Sequence, residues 1–458
     1  MNFLNDVVLK INSLLADYLL IILLLGAGVY FTFRLKFIQV RKFGTGMKKL
    51  FSCFTLNGKE ADKTGMSSFQ ALMTAIAGQV GTGNIAGAAT AIATGGPGAI
   101  FWMWLSAFLG MSTIYSEAVL AQKYKHTEED GTVTGGPVYY IKAAFKGKFG
   151  IFLSVFFSVA IILALGFMGN IVQSNSIGSA FNQAFNIQPI IVGVVVAICA
   201  GFVFLGGAKS LAWVTEKIVP IMAVFYIVGC LIILGFNYDN ILGAFKQIFV
   251  MAFNPQALGG GLLGITIQKA LSKGIARGLF SNEAGMGSTP HAHAIAKVDH
   301  PSEQGIIAMT GVFIDTFVIL TLTALVIIST GVWNNGQTGP QLAQTAFNSV
   351  FGSFGNIFIA ICMLFFAFST IISWYFFGEA NIKTLFKGKY ATKVYALIVV
   401  VLVIIGSTLK VDLVWNMSDM FNSLMVLPNV IALLALGKVV SNITKDYDEV
   451  FRIKQSSK

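Results

Sequence analysis

Residues 78–98 read Gly-Gln-Val-Gly-Thr-Gly-Asn-Ile-Ala-Gly-Ala-Ala-Thr-Ala-Ile-Ala-Thr-Gly-Gly-Pro-Gly, inside an apolar segment long enough to cross a membrane. Three glycines, Gly78, Gly81 and Gly83, fall within six residues, and polar side chains lie between them. Because glycine costs roughly 1 kcal/mol in a helix interior, we expect the helix to unwind here. Unwound backbone at membrane depth occurs only where protein covers it or where it lines a cavity. The stretch therefore predicts a broken transmembrane helix at a binding site.

A second stretch of the same kind lies about 200 residues downstream. Residues 278–290 read Gly-Leu-Phe-Ser-Asn-Glu-Ala-Gly-Met-Gly-Ser-Thr-Pro, again in an apolar surrounding. Two interrupted helices at matching places in two halves of a chain indicate the substrate site of a secondary transporter. The alternative is close packing of helices through small residues, which the G-x-x-x-G spacing of 83–87 would allow. Because packing requires neither Gln79 nor Asn282, we favour broken helices.

The composition is that of an integral membrane protein. Of the 458 residues, 55% are apolar and 11% are charged, and the mean hydropathy is +0.76. Soluble domains contain about 25% charged residues. The four cysteines have neither metal-ligand nor disulfide-framework spacing. The first apolar run, 14–33, lacks a basic leader and a clear cleavage site, so it is interpreted as a retained helix.

Apolar runs of about 20 residues mark membrane-spanning helices. The sequence predicts eleven of them, at 14–33, 66–94, 98–122, 150–172, 188–206, 213–235, 262–296, 305–330, 351–376, 393–410 and 413–437. The second and the seventh are the long, interrupted ones. The predicted fold class is an all-α polytopic membrane protein, with uncharged loops at 173–187 and 331–350.

The positive charges predict the orientation. Most of the 31 Lys and Arg residues lie in alternate connecting segments, and cytoplasmic loops carry such an excess. The N-terminus is therefore expected outside and the C-terminus in the cytoplasm, in a prokaryotic plasma membrane. The net charge of +11 is then a topology signal, so the expected partner is the lipid bilayer and not nucleic acid. The predicted cytoplasmic segments are 34–65, 123–149, 207–217, 297–304, 377–393 and 438–458.

The helix order also predicts an internal repeat. Helices two to six and seven to eleven form two groups of five, each beginning with an interrupted helix. Because five is odd, the second group enters the membrane from the opposite side, as in an inverted repeat. The predicted organisation is an extra helix with a basic cytoplasmic loop (1–65), a first repeat (66–235), a second repeat (262–437) and a cytoplasmic tail (438–458).

The two interrupted stretches resemble the signature motifs of the alanine or glycine:cation symporter family. The matching residues are Gly81-Thr82-Gly83-Asn84-Ile85-Ala86-Gly87 and Arg277-Gly278-Leu279-Phe280-Ser281-Asn282-Glu283-Ala284-Gly285-Met286-Gly287-Ser288. The resemblance covers nearly the whole chain and falls within the amino acid-polyamine-organocation superfamily. It implies the leucine-transporter (LeuT) fold, with the helix at 14–33 as an extra. It also implies import of alanine or glycine by alternating access, coupled to sodium or less often to protons, with no cofactor besides the coupling ion.

A zwitterionic amino acid needs separate partners for its carboxylate and its ammonium group. N–H groups at the start of the half-helix after the first break, residues 82–84, suit the carboxylate. Carbonyl groups released at the end of the upstream half of the second broken helix, residues 280–282, suit the ammonium. The predicted substrate-binding residues are Gln79, Gly81, Thr82, Gly83, Asn84, Gln173, Phe280, Ser281, Asn282, Met286, Thr370 and Trp374.

The sodium site is expected from the resemblance. In a LeuT fold, the hydroxyl groups of Ser369 and Thr370 would face the carbonyl groups of Ala77 and Val80 on the first broken helix. The alternative is common in membrane helices: serine and threonine hydroxyls often bond the backbone of their own helix.

Large apolar side chains are expected to limit the size of the pocket. Trp374, Phe280 and Met286 could narrow it to alanine and glycine, which would be poorly separated because one methylene is worth about 1–3 kcal/mol. The alternative for Trp374 is an interfacial anchor, since it is predicted near the inner end of its helix. Gln173 is a better substrate contact than Asn170.

Charged residues within spans are costly and tend to be paired or functional. Glu283 is expected to pair with Arg277 across the second break, with a proton site as the alternative. Glu117 and Asp315 are assigned structural roles.

Three other functions compete with this interpretation. A transporter of the same fold could carry another small substrate or couple to protons. A channel would also contain polar breaks, but it does not exchange substrate. An enzyme is not expected, because neither H-E-x-x-H nor G-x-S-x-G occurs. No soluble protein partner is predicted.

Overall fold

The computed structural model describes residues 2–54, 66–128, 132–254, 266–388, 390–409 and 411–456. These residues are mostly helical, joined by turns and short loops, and they include a short antiparallel ribbon, β1 (His126–Thr127) and β2 (Val133–Thr134). The predicted all-α class is therefore confirmed.

The first half of the chain contains helices α1 to α13. Their bounds are α1 Asn2–Leu14, α2 Leu20–Arg34, α3 Ile38–Arg41, α4 Phe43–Phe54, α5 Ser68–Gln79, α6 Ala88–Gly95, α7 Ala99–Lys123, α8 Pro137–Ala144, α9 Gly147–Ile161, α10 Asn170–Phe185, α11 Pro189–Leu205, α12 Gly207–Phe236 and α13 Tyr238–Phe253. The π-helical segments Leu15–Leu19, Gly83–Gly87 and Ile162–Gly169 join α1 to α2, precede α6, and join α9 to α10.

The second half contains helices α14 to α22. Their bounds are α14 Ile267–Asn282, α15 Pro290–Ala294, α16 Pro301–Val312, α17 Thr321–Ser329, α18 Gly339–Phe351, α19 Phe354–Leu385, α20 Ala391–Gly406, α21 Val411–Ala435 and α22 Gly437–Ser456. A π-helical segment, Phe313–Leu320, joins α16 to α17, and a 3-10 turn covers Val332–Asn334.

Within the described residues, six continuous helices are long and apolar enough to cross a membrane: Ala99–Lys123, Gly147–Phe185, Gly207–Phe236, Pro301–Ser329, Phe354–Leu385 and Val414–Ala435. Three shorter apolar helices are Leu20–Arg34, Pro189–Leu205 and Ala391–Gly406. Many of their outward side chains are large and apolar, as lipid-facing surfaces require. The chain is a multi-pass membrane protein.

The two interruptions predicted from the glycine-rich stretches are confirmed. Helix α5 ends at Gln79, and the chain resumes as a π-helical segment at Gly83 before α6. Helix α14 ends at Asn282, and α15 begins only at Pro290. Each broken helix therefore presents free backbone ends inside the protein.

The fourth predicted helix, 150–172, is longer than expected, and the predicted loop at 173–187 is wrong. The helix is continuous from Gly147 to Phe185. The apolar pattern of the sequence ends near residue 172, although the helix continues, because the buried side chains of the next turns are polar. Ser174 donates to the Val403 carbonyl at 2.5 Å, and Asn175 donates to the Gly406 carbonyl at 3.0 Å.

The predicted loop at 331–350 is also wrong, because most of it forms α18. This helix begins with Pro340 in its first turn and buries Leu342, Ala346 and Phe347. Its charge-free sequence therefore packs as an amphipathic helix against α19. Helix α19 continues nine residues beyond the predicted end at 376, to Leu385, so Trp374 lies well inside the helix.

The two broken helices are joined to each other at one end. Met66, just before α5, forms a parallel bridge with Ala296, just after α15. The Met66 N–H donates to the Ile295 carbonyl at 3.3 Å, and the Lys297 N–H donates to the Met66 carbonyl at 3.2 Å. Gln122 of α7 covers the same end by donating to the carbonyls of residues 293, 294 and 296.

The last helix, α22, is amphipathic and lies outside the spanning segments. Its Asp448 carboxylate pairs with Lys42 at 2.6 Å and with Arg41 at 3.2 Å. Asp446 pairs with His300 at 3.2 Å. These contacts attach α22 to the segment after α2 and to the start of α16.

Candidate functional site

The first break is held open by side chains. Val80 ends the upstream half with φ −82° and ψ 83°, so its backbone leaves the helix. The Gly81 N–H donates to the Asn84 Oδ1 at 3.0 Å, and the Thr82 N–H donates to the Gln173 Oε1 at 3.2 Å. Side-chain amides thus take the place of helical carbonyl partners.

The second break is a tight turn that a neighbouring carboxylate supports. Glu283 ends α14 in a left-handed conformation at φ 57°, and Gly285 and Gly287 follow at φ 93° and 80°. Both glycine N–H groups donate to the Glu117 carboxylate of α7, at 3.0 and 2.9 Å. Asn429 of α21 donates to the same carboxylate at 2.6 Å. Glu117 has the structural role that was predicted.

The two breaks face each other directly. A Cβ atom added to Gly83 would lie 3.0 Å from the Ser281 Cα, so the two backbones approach closely only because this residue is glycine. The Gln79 Nε2 donates to the Asn282 carbonyl at 2.9 Å. The predicted residues of both stretches therefore lie together.

Asp315 joins the two breaks, which the sequence analysis did not predict. It lies in the π-helical segment Phe313–Leu320 and is fully buried. Its Oδ1 accepts from the Asn84 Nδ2 at 2.6 Å and from the Ser281 hydroxyl at 2.8 Å. Its Oδ2 accepts from the Thr316 hydroxyl at 2.7 Å. The signal in the sequence was a single acidic residue within an apolar segment. Because Asp315 was assigned a structural role, its contacts with Asn84 and Ser281 were not predicted.

Several buried polar atoms at the breaks have no hydrogen-bond partner among the described residues. They are the Gln79 Oε1, the Thr82 Oγ1, the Asn170 Oδ1 and the Gln173 Nε2. Each of these side chains is at most 1% exposed. Of these, the Thr82 and Gln173 atoms lie at the first break, where the Thr82 N–H already donates to the Gln173 Oε1, whereas the Gln79 Oε1 lies against Gly311 of α16 and Asn170 bonds the Gly166 carbonyl. Buried polar groups normally have partners, so the unpaired Thr82 and Gln173 atoms indicate a place for a polar ligand at the first break.

Of the two hydroxyl residues predicted for sodium, only Thr370 contacts the first broken helix. Its Oγ1 lies 2.8 Å from the Ala77 carbonyl and 3.0 Å from the Phe366 carbonyl of its own helix, and it can donate to either. The prediction that the Ser369 hydroxyl faces Ala77 and Val80 is wrong. Ser369 donates to the Phe366 carbonyl of its own helix at 2.9 Å and contacts the Met222 sulfur. Adjacent residues of an α-helix point about 100° apart, so the side chains of Ser369 and Thr370 cannot both face the first broken helix.

Aromatic side chains close the space beside the breaks. Phe280 meets Trp374 edge to face with ring centres 5.4 Å apart, and it packs on Trp415 at 4.8 Å. Trp374 is 1% exposed, so the alternative of an interfacial anchor is wrong. Met286 is buried, with its N–H donating to the Glu283 carbonyl at 3.1 Å, and its role in the pocket stays a prediction.

The predicted pair between Arg277 and Glu283 is wrong. Arg277 forms a two-pronged ion pair with Asp419 of α21, at 3.0 and 2.7 Å, and its guanidinium stacks 4.4 Å from the Trp415 ring centre. Glu283 instead accepts from the Trp374 indole N–H and, at 2.5 Å, from the Ser288 hydroxyl. Glu283 follows the last residue of α14 in a left-handed conformation and contacts α19 through Trp374, whereas Arg277 contacts α21 through Asp419.

Among solved structures, a manganese transporter of Eremococcus coleocola is similar, with a TM-score of 0.54 and 13% identity. The similarity covers 82% of this chain and 84% of that one. At this identity the likeness concerns the fold alone.

Sequence relatives are much closer. The chain is 42% identical to the sodium/alanine symporter AgcS of Methanococcus maripaludis, over 96% of each chain. It is 41% identical to the probable sodium/glutamine symporter GlnT of Bacillus subtilis, over 95% of this chain and 89% of the relative. The model of the sodium:alanine symporter family matches residues 1–458. The resemblance noted in the sequence is confirmed, and the chain belongs to the sodium:alanine symporter family.

Proposed function

We propose that this chain imports alanine or glycine together with sodium by alternating access. The proposed frame is a LeuT fold of eleven spans: the six long helices, the three shorter apolar ones and the two broken helices. In this frame 66–235 and 262–437 are inverted repeats, 1–65 is an added helix and loop, and 438–458 is a tail. The N-terminus lies outside and the C-terminus in the cytoplasm, in agreement with the positive-inside rule.

The observation that carries the proposal is the pair of unpaired polar atoms at the first break, the Thr82 Oγ1 and the Gln173 Nε2, beside the facing second break. The Gln173 Nε2 and the Thr82 Oγ1 can donate to a carboxylate, while the carbonyl groups of residues 280–282 at the end of α14 can accept from an ammonium group. A neutral amino acid supplies both kinds of partner. The proposed substrate residues are those predicted from the sequence, Gln79, Gly81, Thr82, Gly83, Asn84, Gln173, Phe280, Ser281, Asn282, Met286, Thr370 and Trp374.

The proposed sodium ligands are the carbonyl groups of Ala77 and Val80 and the hydroxyl of Thr370. Sodium prefers oxygen ligands, and carbonyl groups released by an unwound helix are suitable. The 2.8 Å contact between Thr370 and Ala77 brings two of these oxygens together. Ser369 is left out because its hydroxyl contacts Phe366 and Met222, whereas the Thr370 hydroxyl, which also contacts the Phe366 carbonyl, reaches Ala77 as well.

The proposed alternating access relies on contacts between α19 and the first broken helix and between the two breaks. Sodium at Thr370 would hold α19 against the first broken helix, which fixes the orientation of 82–84 toward the substrate. The first break also contacts the second through Gln79 and Asn282. Substrate and ion would thus bind cooperatively, and the loaded broken helices would rock against the other helices to open inward.

The test is uptake of labelled alanine and glycine into proteoliposomes, at fixed pH, with and without an inward sodium gradient. We expect uptake that requires the gradient, and exchange of labelled alanine from preloaded vesicles. Uptake that ignores sodium but follows a proton gradient would contradict the coupling. Free leakage without exchange would indicate a channel. Uptake of labelled glutamine is measured in parallel, because one relative is named a probable sodium/glutamine symporter. Uptake of glutamine without uptake of alanine or glycine would show that the proposed substrate is wrong.

A further inference from the structure

Glu283 is neither a substrate residue nor a sodium ligand in the proposed transport cycle, yet it lies at the second break. We propose that Glu283 is the positioning residue for the Trp374 indole, and that it thereby limits the site to side chains no larger than a methyl group. This inference rests on the proposed function, because it concerns the substrate size that the same site accepts.

The backbone directs the Glu283 side chain between the two broken helices. Its φ of 57° is a left-handed conformation that non-glycine residues adopt rarely. A Cβ atom added to Gly78 of the first broken helix would lie 3.3 Å from the Glu283 Oε1. The carboxylate therefore lies against α5 while belonging to α14.

Both carboxylate oxygens have a defined donor. One accepts from the indole N–H of Trp374 on α19, and the other accepts from the Ser288 hydroxyl at 2.5 Å. No lysine or arginine of the described residues pairs with Glu283, since Arg277 pairs with Asp419. The contacts that Glu283 makes are thus those of a hydrogen-bond acceptor for an aromatic ring and for its own turn.

Trp374 is enclosed on its other sides. A Cβ atom added to Gly169 would overlap its six-membered ring, so the indole packs directly on the backbone of the π-helical segment before α10. Phe280 meets the ring at an angle of 89°. The hydrogen bond that the indole N–H donates to Glu283 restricts the remaining freedom, which is rotation of the indole about its own side-chain bonds.

A fixed indole makes a firm pocket wall. Phe280 lies beside Gly83, since a Cβ atom there would lie 3.3 Å from the Phe280 ring, and the Trp374 indole supports Phe280 from behind in an edge-to-face contact. If the ring could rotate away, a larger side chain would gain room. Small pockets discriminate against one added methylene by about 10- to 200-fold, and this discrimination depends on walls that hold their place.

The test compares three variants for uptake of alanine and of 2-aminobutyrate, which is one methylene larger. Glu283→Met keeps the length of the side chain and removes the acceptor. Glu283→Gln loses the charge and keeps an oxygen for the indole N–H, while its amide can donate to Ser288. Ser288→Ala is the matched control, because it removes only the hydrogen bond on the other oxygen.

We expect Glu283→Met to lower the ratio of Vmax/KM for alanine over 2-aminobutyrate by about tenfold. Glu283→Gln and Ser288→Ala should keep the wild-type ratio within about twofold. An unchanged ratio in Glu283→Met would overturn the inference. A ratio in Glu283→Gln as low as in Glu283→Met would also overturn it, because the charge and not the hydrogen bond would then matter.

A second readout does not depend on transport. In protein labelled with 5-fluorotryptophan, the fluorine resonance that disappears in Trp374→Phe belongs to residue 374. It should shift or broaden in Glu283→Met and stay in place in Glu283→Gln and Ser288→Ala. A wild type that fails to take up alanine contradicts the proposed function alone. An unmoved resonance in Glu283→Met contradicts the positioning role alone.

Discussion

At the scale of single residues, the first break depends on what glycine lacks. A Cβ atom at Gly81 would overlap the Thr370 hydroxyl, whereas a Cβ atom at Gly87, six residues on, would meet nothing closer than 3.9 Å. The same substitution therefore has opposite consequences at two positions of one helix.

We expect Gly81→Ala to abolish sodium-dependent uptake, because the added methyl group displaces Thr370 from the Ala77 carbonyl. Gly87→Ala should keep uptake near the wild-type level and raise stability by up to about 1 kcal/mol, since alanine favours the helix. Initial rates in proteoliposomes, normalised to protein incorporated, measure both. Equal rates in the two variants would contradict the assignment of the break.

A second residue-scale prediction separates the two neighbouring hydroxyl residues. Thr370→Ala should raise the sodium concentration that gives half-maximal uptake by about tenfold, the equivalent of 1.4 kcal/mol for one lost ligand. Ser369→Ala should change it little, because the Ser369 hydroxyl contacts Phe366 and Met222 and, unlike that of Thr370, does not reach Ala77. Sodium titration of alanine uptake provides the measurement. A larger effect at Ser369 than at Thr370 would sink the proposed ligand set.

At the scale of elements, α7 supports the second broken helix through one carboxylate. Glu117 accepts from the N–H groups of Gly285 and Gly287 and from Asn429, so it connects α7, the turn after α14, and α21. Both N–H groups are buried in a turn that provides no other acceptor for them in the described contacts.

We expect Glu117→Gln to lower the thermal stability of the protein in detergent. Its amide places an N–H₂ group where one of these donors now finds an oxygen, and an unpaired buried N–H costs about 1–3 kcal/mol. Glu449→Gln, an exposed position on α22, is the matched control and should leave the unfolding midpoint unchanged. Midpoints from a size-exclusion assay after heating test this, and equal midpoints would refute the role of Glu117.

The sequence predicted the elements better than their contacts. Glycine clusters identified both breaks because backbone propensity acts locally. The loop predicted at 173–187 failed because Ser174 and Asn175 bury polar side chains against carbonyls of α20, which a hydropathy pattern cannot register. Arg277 was paired with the wrong acid for a related reason: Asp419 is remote in sequence, and only the packing of α14 against α21 brings it close.

At the scale of the whole molecule, α22 connects parts of the chain that are far apart in sequence. Burial opposes the charged form of Asp448, but hydrogen bonds and positive charge from Lys42 and Arg41 outweigh it and hold the pKa of this carboxyl below its ordinary value of 3.8. A lowered pKa in the docked state means that the charged carboxylate favours docking. Its contribution is complete above about pH 4 and is lost as the pH falls through the lower, docked-state pKa.

We therefore expect the contribution of Asp448 to the docking of α22 to be constant from pH 8 to 5 and to weaken below about pH 4. Asp448→Asn should loosen α22 at neutral pH and remove the step at low pH. Hydrogen exchange of residues 437–456, normalised at each pH to an unstructured peptide, measures the docking. High salt should act in the same direction on these partly exposed ion pairs. A wild-type profile in Asp448→Asn would contradict the role of the ion pairs.

The bridge between Met66 and Ala296 has a consequence for how this molecule tolerates change. Its two hydrogen bonds use only main-chain atoms, so nineteen of the twenty amino acids could stand at position 66 or 297 without removing a donor. Proline alone lacks the N–H. This direct main-chain link between the two broken helices is thus hidden from any comparison of side chains. Substitutions at positions 66 and 297 can therefore accumulate among variants while the two main-chain hydrogen bonds that connect the broken helices are retained.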